Sequence, residues 1–239
     1  MSQESFSLPE GLALPAGLDA FTEGTLPVAL SLSARAGRLL RESLEARGRH
    51  VAGLEFKGRR ELVTRADRDS EELLVRGIRR AFPEHAILAE EGVASPAGEA
   101  DRESSFCWVL DPLDGTTNYV SGHPFYCVSV GLLREGEPWL GVVHAPSLGG
   151  TATGTFHYGG RGIGAWKNGR PIRVSDTAAL EDAVVATGFS YNRNEEGVNT
   201  NLANFGRVLM EARGIRRCGS AALDLALTAE GIYDAFWES

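Results

Sequence analysis

The sequence predicts an α/β (α+β) fold, a layered α/β sandwich, and three observations point there. Two apolar, strand-like segments, 125–133 and 139–144, are separated only by Glu135-Gly136-Glu137-Pro138, a connection that suits antiparallel neighbours. A second hairpin follows, where Ala165-Trp166-Lys167 and Pro171-Ile172-Arg173-Val174 flank Asn168-Gly169, a pair that accepts the positive φ of a tight primed turn. Past about Ser175 the pattern changes to strands alternating with helices, which belongs to α/β layers. A mixed antiparallel sheet comes first, and an α/β half second.

The elements follow in order. Residues 1–24, rich in Ser, Glu, Pro and Gly, read as a flexible tail. They lack a basic stretch followed by an apolar core, which argues against a signal peptide. Leu26, Leu30, Ser33, Gly37, Leu40 and Leu44 recur at helical spacing, with Thr25 as N-cap and Gly48 as stop. A second helix is expected over 70–82, with Leu74, Ile78 and Ala81 on one face. Asp69 and Glu72 resemble a capping box, and Pro83 ends the helix. Short apolar runs at 86–89 and 106–110 read as buried strands. The second half gives strands at 183–187, 215–217 and 233–237 and helices at 200–212 and 221–229.

Composition narrows the function. The 239 residues are enough for a large core in one domain or two closely joined halves. A net charge of −8 argues against a general nucleic-acid binder. No apolar run approaches the roughly 20 residues that cross a bilayer. Three cysteines, Cys107, Cys127 and Cys218, are odd in number and lack metal-like spacing, as in a reducing cytoplasm. No His-Glu-x-x-His is present, and Gly160-Arg161-Gly162-Ile163-Gly164 has the wrong spacing for a dinucleotide loop. Gly188-Phe189-Ser190 lacks the second glycine of a nucleophile elbow.

The run from Asp111 to Tyr119, Asp-Pro-Leu-Asp-Gly-Thr-Thr-Asn-Tyr, carries the chemistry. Two carboxylates lie three residues apart at the end of a strand, where ligands of α/β sheets gather. Pro112 disfavours helix at Asp111, so the chain stays extended and both side chains can project one way. Paired carboxylates repel unless a cation sits between them, and hard divalent ions such as Mg²⁺ take oxygen ligands. Gly115 lets the backbone approach a ligand, and the amides of the following turn can face an anion. A metal-bound phosphate site is the chemistry suggested. Two further acids close strand-like stretches: Glu90, in Glu90-Glu91-Gly92, which alone reads as a solvated loop, and Asp67, which alone is equally a helix cap.

Together these elements resemble the inositol monophosphatase family, Mg²⁺-dependent, lithium-sensitive phosphomonoesterases. The matching residues are Lys57, Leu62-Val63-Thr64, Asp67, Glu90-Glu91 and the block from Trp108 to Tyr119. Later matches are Gly141-Val142-Val143-His144-Ala145-Pro146, Thr187-Gly188-Phe189 and the segment from Arg217 to Leu225, so the resemblance spans about 26–238. It implies a layered αβαβα sandwich and hydrolysis of a small phosphorylated polyol, inositol monophosphate foremost. Histidinol phosphate and fructose 1,6-bisphosphate are the substrates of neighbouring branches. By the same resemblance, Glu90, Asp111 and the Leu113 carbonyl bind a first metal, and Asp111 and Asp114 a second. Asp67 and Thr116 orient the attacking water, and Gly115 and Thr116 offer backbone donors to phosphate. Glu238 contacts the substrate alcohol, and Gly219, Ser220 and Ala221 line the pocket. A cytoplasmic homodimer is implied as well.

Two departures stand out. Glu61 occupies a position where the family commonly has Asp, and the chain stops at Ser239. Family members continue past the Glu238 position with a Trp-Asp element whose Asp is a further metal ligand. The expectation is therefore a C-terminally truncated sandwich, with a tail at 1–24, a half carrying the metal site at 25–175, and an incomplete α/β half at 176–239. A weakly active or inactive relative that binds phosphate or a protein partner is the second reading.

Overall fold

Helix α1 (Ala20–Arg47) begins where Asp19 Oδ1 accepts the Phe21 and Thr22 amides at 3.0 and 3.1 Å, and Oδ2 accepts the Thr22 hydroxyl at 2.6 Å. These amides have no partner inside the helix, so the acidic cap lets it start here and not at Thr25. Thr25 is instead buried within α1 and donates its hydroxyl to the Phe21 carbonyl at 2.9 Å. The computed structural model describes residues 6–47, 55–56, 62–90, 92, 104–190, 195, 197–198 and 200–238. Lys57, Glu61, Glu91 and Ser239 lie outside the described residues. The flexible tail expected over 1–24 is corrected in its described part. Phe6, Leu8, Leu12, Leu14 and Leu18 pack against the core, and the Tyr158 hydroxyl donates to the Ala13 carbonyl at 3.0 Å. Spaced apolar residues bury surface here despite the polar average of the segment.

Two short strands, β1 (Glu55–Phe56) and β2 (Leu62–Val63), pair antiparallel. Helix α2 (Arg65–Ala81) starts earlier than the periodicity suggested, because Thr64 and Asp67 form the capping box in place of Asp69 and Glu72. The Asp67 carboxylate accepts the Thr64 amide at 2.9 Å and its hydroxyl, and the Thr64 hydroxyl faces the Asp67 amide at 3.4 Å. Leu74 and Ile78 are fully buried on the face that meets α1.

Seven strands make the main sheet: β3 (Ala86–Ala89), β4 (Phe106–Asp114), β5 (Cys127–Arg134), β6 (Glu137–Ala145), β7 (Thr155–Gly160), β8 (Gly164–Lys167) and β9 (Arg170–Pro171), paired in that order. β3 runs parallel to β4, and the remaining pairs are antiparallel. Asn168 and Gly169 turn β8 into β9 with φ of 46° and 79°, as the hairpin signal required. β7 was not foreseen. Side-chain alternation splits the sheet's faces. Val128, Val130 and Leu132 face α1 and α2 in one core, while Cys127 joins Phe125, Ala145 and Leu223 in a second.

Helix α3 (Thr116–Ser121) follows β4 directly. Beyond a short 3₁₀ turn at Leu180–Asp182, β10 (Val184–Thr187) is flanked in parallel by β11 (Gly214–Arg216) and β12 (Ala235–Trp237). Helix α4 (Leu202–Glu211) joins β10 to β11, and α5 (Ala221–Ala229) joins β11 to β12. α5 touches β5 and β6 of the large sheet and β10 and β12 of the small one, so it is the layer between them.

Helix α1 meets the sheet closely at Gly37, where an added Cβ would lie 2.4 Å from the His144 ring. That ring is stacked on Phe156 with centroids 3.9 Å apart and cannot swing away. At Gly24 the same helix is open, with nothing within 4 Å. Gly37→Ala should therefore destabilise the chain by about 1–3 kcal/mol through overpacking. Gly24→Ala should stabilise it by about 0.5–1 kcal/mol through helix propensity. Opposite shifts of the thermal midpoint are expected, and a shift of the same sign in both variants would contradict this packing.

Candidate active site

Most of the residues expected at the site line one cavity of about 250 Å³: Glu90, Asp111, Leu113, Asp114, Gly115, Thr116, Gly219, Ser220, Ala221 and Glu238. Asp67 is not in its wall. It is 2 % exposed and stands behind Thr116, whose Oγ1 is 3.2 Å from Asp67 Oδ1 and 3.1 Å from the Leu113 carbonyl. One hydroxyl proton thus serves two acceptors. The other Asp67 oxygen is occupied by Thr64, so the helix cap and the site contact coexist in one carboxylate.

An irregularity in β4 brings Asp111 and Asp114 together. Asp111 pairs with Ser129 and Asp114 with Cys127, so three steps on β4 match two on β5. The extra residue changes the alternation that would otherwise send residues three apart to opposite faces. The Leu113 amide, freed from the ladder, donates to Asp111 Oδ1 at 3.0 Å. α2 holds this kink from outside, where the Ser70 hydroxyl donates to the Pro112 carbonyl at 3.1 Å.

Asp114 is fixed by α5. Its Oδ2 accepts the Ser220 hydroxyl at 2.6 Å and the Ala222 amide at 2.7 Å, with the buried Cys127 thiol 3.8 Å away. Ser220 therefore lines the cavity while spending its hydroxyl on Asp114. Asn118 on α3 ties the turn to the opposite loop, donating to the Phe125 carbonyl at 2.7 Å and the Cys218 carbonyl at 2.8 Å. Gly115 turns β4 into α3 with φ of 91°, and a Cβ there would lie 3.1 Å from the Phe125 carbonyl. Near Glu238 the chain again makes room, since a Cβ on Gly188 would sit 1.9 Å from Glu238 Oε1.

The electrostatics of this wall suit a cation. Burial pushes the Asp111 carboxyl up to about 9, with the charges of Asp114 and Glu90 adding to it. Burial also raises Asp114, while the donors from Ser220 and α5 oppose the rise. Oxygen donors on one wall that pay for being ionised fit a hard divalent ion. Among the described residues no three acids, histidines or cysteines converge tightly enough to enclose one by themselves. Asp224 and Arg217 also line the cavity and were not singled out from the sequence. Burial first, then Asp114, pushes Asp224 up to about 7. The available signal was spacing: Asp224 lies four residues after Ser220 and so shares its helix face.

A pH dependence follows. Asp111 at about 9 lies above the ordinary carboxyl value of 3.8, so the folded chain holds a proton that the unfolded chain has released. That contribution to stability is complete below about pH 4 and is lost as pH rises through about 9. Melts in EDTA at pH 5, 7 and 9 should show a falling midpoint that Asp111→Asn flattens. An equally steep fall in the variant would place the effect elsewhere.

The sequence profile of the inositol monophosphatase family matches residues 22–239. Inositol monophosphatase 2 of Solanum lycopersicum is 37 % identical over 216 residues, covering 90 % of this chain and 78 % of its own. A Nus factor SuhB of Pseudomonas aeruginosa is 40 % identical over 215 residues, covering 89 % of this chain and 76 % of its own. The solved inositol monophosphatase of Anabaena (Nostoc) superposes with a TM-score of 0.77 at 38 % identity, covering 92 % of this chain and 76 % of that one. With the profile matching from Thr22 onward, this chain belongs to the inositol monophosphatase family, whose members are phosphoric monoester hydrolases and generally metal-dependent.

Proposed function

We propose that this chain is a Mg²⁺-dependent phosphatase of small polyol monophosphates, inositol monophosphate foremost. The observation that carries this reading is the Thr116 hydroxyl, set between the Asp67 carboxylate and the Leu113 carbonyl beside Asp111 and Asp114. Glu90, Asp111 and the Leu113 carbonyl would hold one Mg²⁺, and Asp111 and Asp114 a second, with water completing each shell. Bound there, Mg²⁺ supplies charge to the phosphoryl oxygens and makes a coordinated water more acidic.

The chain's own residues do the rest. Thr116 can pass its hydroxyl proton toward Asp67 and accept one from a water, which aims the water's free lone pair at phosphorus. The amides of Gly115 and Thr116 orient the phosphate. The water oxygen bonds to phosphorus as the phosphorus–oxygen bond to the alcohol breaks, and the alcohol departs with a proton. Glu238, in the lining of the same cavity, accepts hydroxyl donors of the leaving alcohol. The same resemblance carries the expectation of a cytoplasmic homodimer, and light scattering on purified chain checks the stoichiometry.

Two variants test the reading. Asp111→Asn should erase the thermal stabilisation by millimolar Mg²⁺, and a shift as large as in the unsubstituted chain would remove Asp111 from the ligand set. Thr116→Ala should lower kcat on inositol 1-phosphate by about 10²–10⁴-fold, with KM changing far less. Normal kcat with raised KM would leave Thr116 a binding role only.

A further inference from the structure

A second cavity, of about 260 Å³ against about 250 Å³ for the one with the paired aspartates, lies between α1 and the loop from β6 to β7. Ala34, Arg38 and Arg41, at spacings of four and three, give it one face of α1, and Pro146, Ala152 and Thr153 give it the loop. His144, 2 % exposed, also lines it. Its Nδ1 lies 2.8 Å from the Ser33 carbonyl and its Nε2 2.8 Å from the Thr153 carbonyl, so one buried ring ties the helix to the loop. The loop is braced internally as well. The Thr151 hydroxyl donates to the Gly154 carbonyl at 2.9 Å, and the Thr155 hydroxyl to the Leu148 carbonyl at 3.1 Å. A cavity with walls fixed in this way needs little ordering when a ligand enters.

The charges in this cavity do not cancel, although the chain as a whole carries a net charge of −8. Arg41 donates from one guanidinium nitrogen to the Ala152 carbonyl, and its Nε lies 4.0 Å from Glu45, which occupies only part of its donor set. Arg38 makes no hydrogen bond or ion pair among the described residues. Glu10, the one acid of the wall, is ion-paired to neither arginine. Like charges one turn apart on a helix repel, so an anion between them is stabilising. We propose that this cavity is a phosphate-binding site, in which Arg38 and Arg41 grip the oxygens of one phosphate group. Guanidinium forks match phosphate oxygens two at a time. The volume falls below the roughly 300–1,000 Å³ of pockets for drug-sized ligands, which suits inorganic phosphate or a small phosphate ester and not a nucleotide. None of these residues lines the first cavity, so the site stands whether or not that cavity hydrolyses esters.

Arg38→Gln makes the test, since Arg38 holds no other described residue in place. Inorganic phosphate, titrated calorimetrically into the full chain in EDTA at constant ionic strength, should bind saturably at one site. Arg38→Gln should weaken that binding at least about tenfold. Glu10→Gln removes the opposing charge and should tighten it about twofold or more. Arg161→Gln makes the same change in net charge as Arg38→Gln, but at the other end of β7, and should leave the affinity within about twofold. Inositol 1-phosphate in the same titration separates the two sources of the group. Phosphate that binds at least as tightly as the ester assigns the site to the free ion. An ester that binds more tightly, and loses as much in Arg38→Gln, assigns it to phosphate esters. No saturable binding, an affinity that Arg38→Gln leaves unchanged, equal weakening by Arg161→Gln, or weakening by Glu10→Gln overturns the inference. With EDTA present no metal-dependent hydrolysis enters the measurement, so the phosphatase reading stands or falls separately, on the turnover of Thr116→Ala.

Discussion

Asp111 and Asp114 share the wall of one cavity, and their mutual repulsion is the constraint around which the neighbouring elements are arranged. The two are not treated alike. Asp114 receives the Ser220 hydroxyl and the Ala222 amide, which lower the cost of its charge. Asp111 receives one amide, from Leu113, and faces the charges of both Asp114 and Glu90. Donor hydrogen bonds can stabilise one carboxylate of a close pair, and the other then holds a proton or meets a cation. The fold thus eases the charge of Asp114 more than that of Asp111, although burial raises both.

Holding that arrangement needs the backbone to be fixed at several points, and the fixings come from elements far apart in sequence. The Asp111-to-Asp114 irregularity is buttressed from α2 through Ser70 and Pro112. Thr116, one residue past Gly115, is held by Asp67, also on α2. Tyr119 closes α3 against α1, donating to the Leu40 carbonyl at 2.9 Å from a site 1 % exposed. A helix of six residues has little stability of its own. Its position is therefore set by Asn118 and Tyr119 acting through the rest of the molecule.

Much of this was legible in the sequence where a local rule governs. Asn168-Gly169 demands positive φ in a two-residue turn and received it. The helix at Ala221–Ala229 was bounded by its own apolar pattern. Legibility failed where tertiary contacts override local signals. Thr155–Gly160 became a strand although glycines crowd it, because its neighbours β6 and β8 supply the ladder. α2 starts at Arg65 because Asp67 closes a capping box, a geometry that a scan for Asp69 and Glu72 overlooked. The acids Asp67, Asp111 and Asp114 could be named from motif and resemblance. That Ser220 holds Asp114, and that Asp224 stands behind it, depends on α5 being brought against β4 and β5 from over a hundred residues away.

α5 connects the site to the opposite edge of the molecule. Its first turn holds Asp114, and the residue that ends it, Glu230, accepts from His157 at 2.9 Å and from Lys167 on the other carboxylate oxygen. His157 and Lys167 lie opposite each other on β7 and β8, at the far side of the large sheet from β3 and Glu90. Leu223 and Ala226 bury the helix between these ends. A nine-residue helix is about 14 Å long at 1.5 Å per residue. An element so short, pinned at both ends and packed at the middle, has little freedom to shift along its axis. The register of Asp114 against Asp111 thus depends on an ion-paired cluster that never touches the cavity, and on the two sheets holding α5 between them.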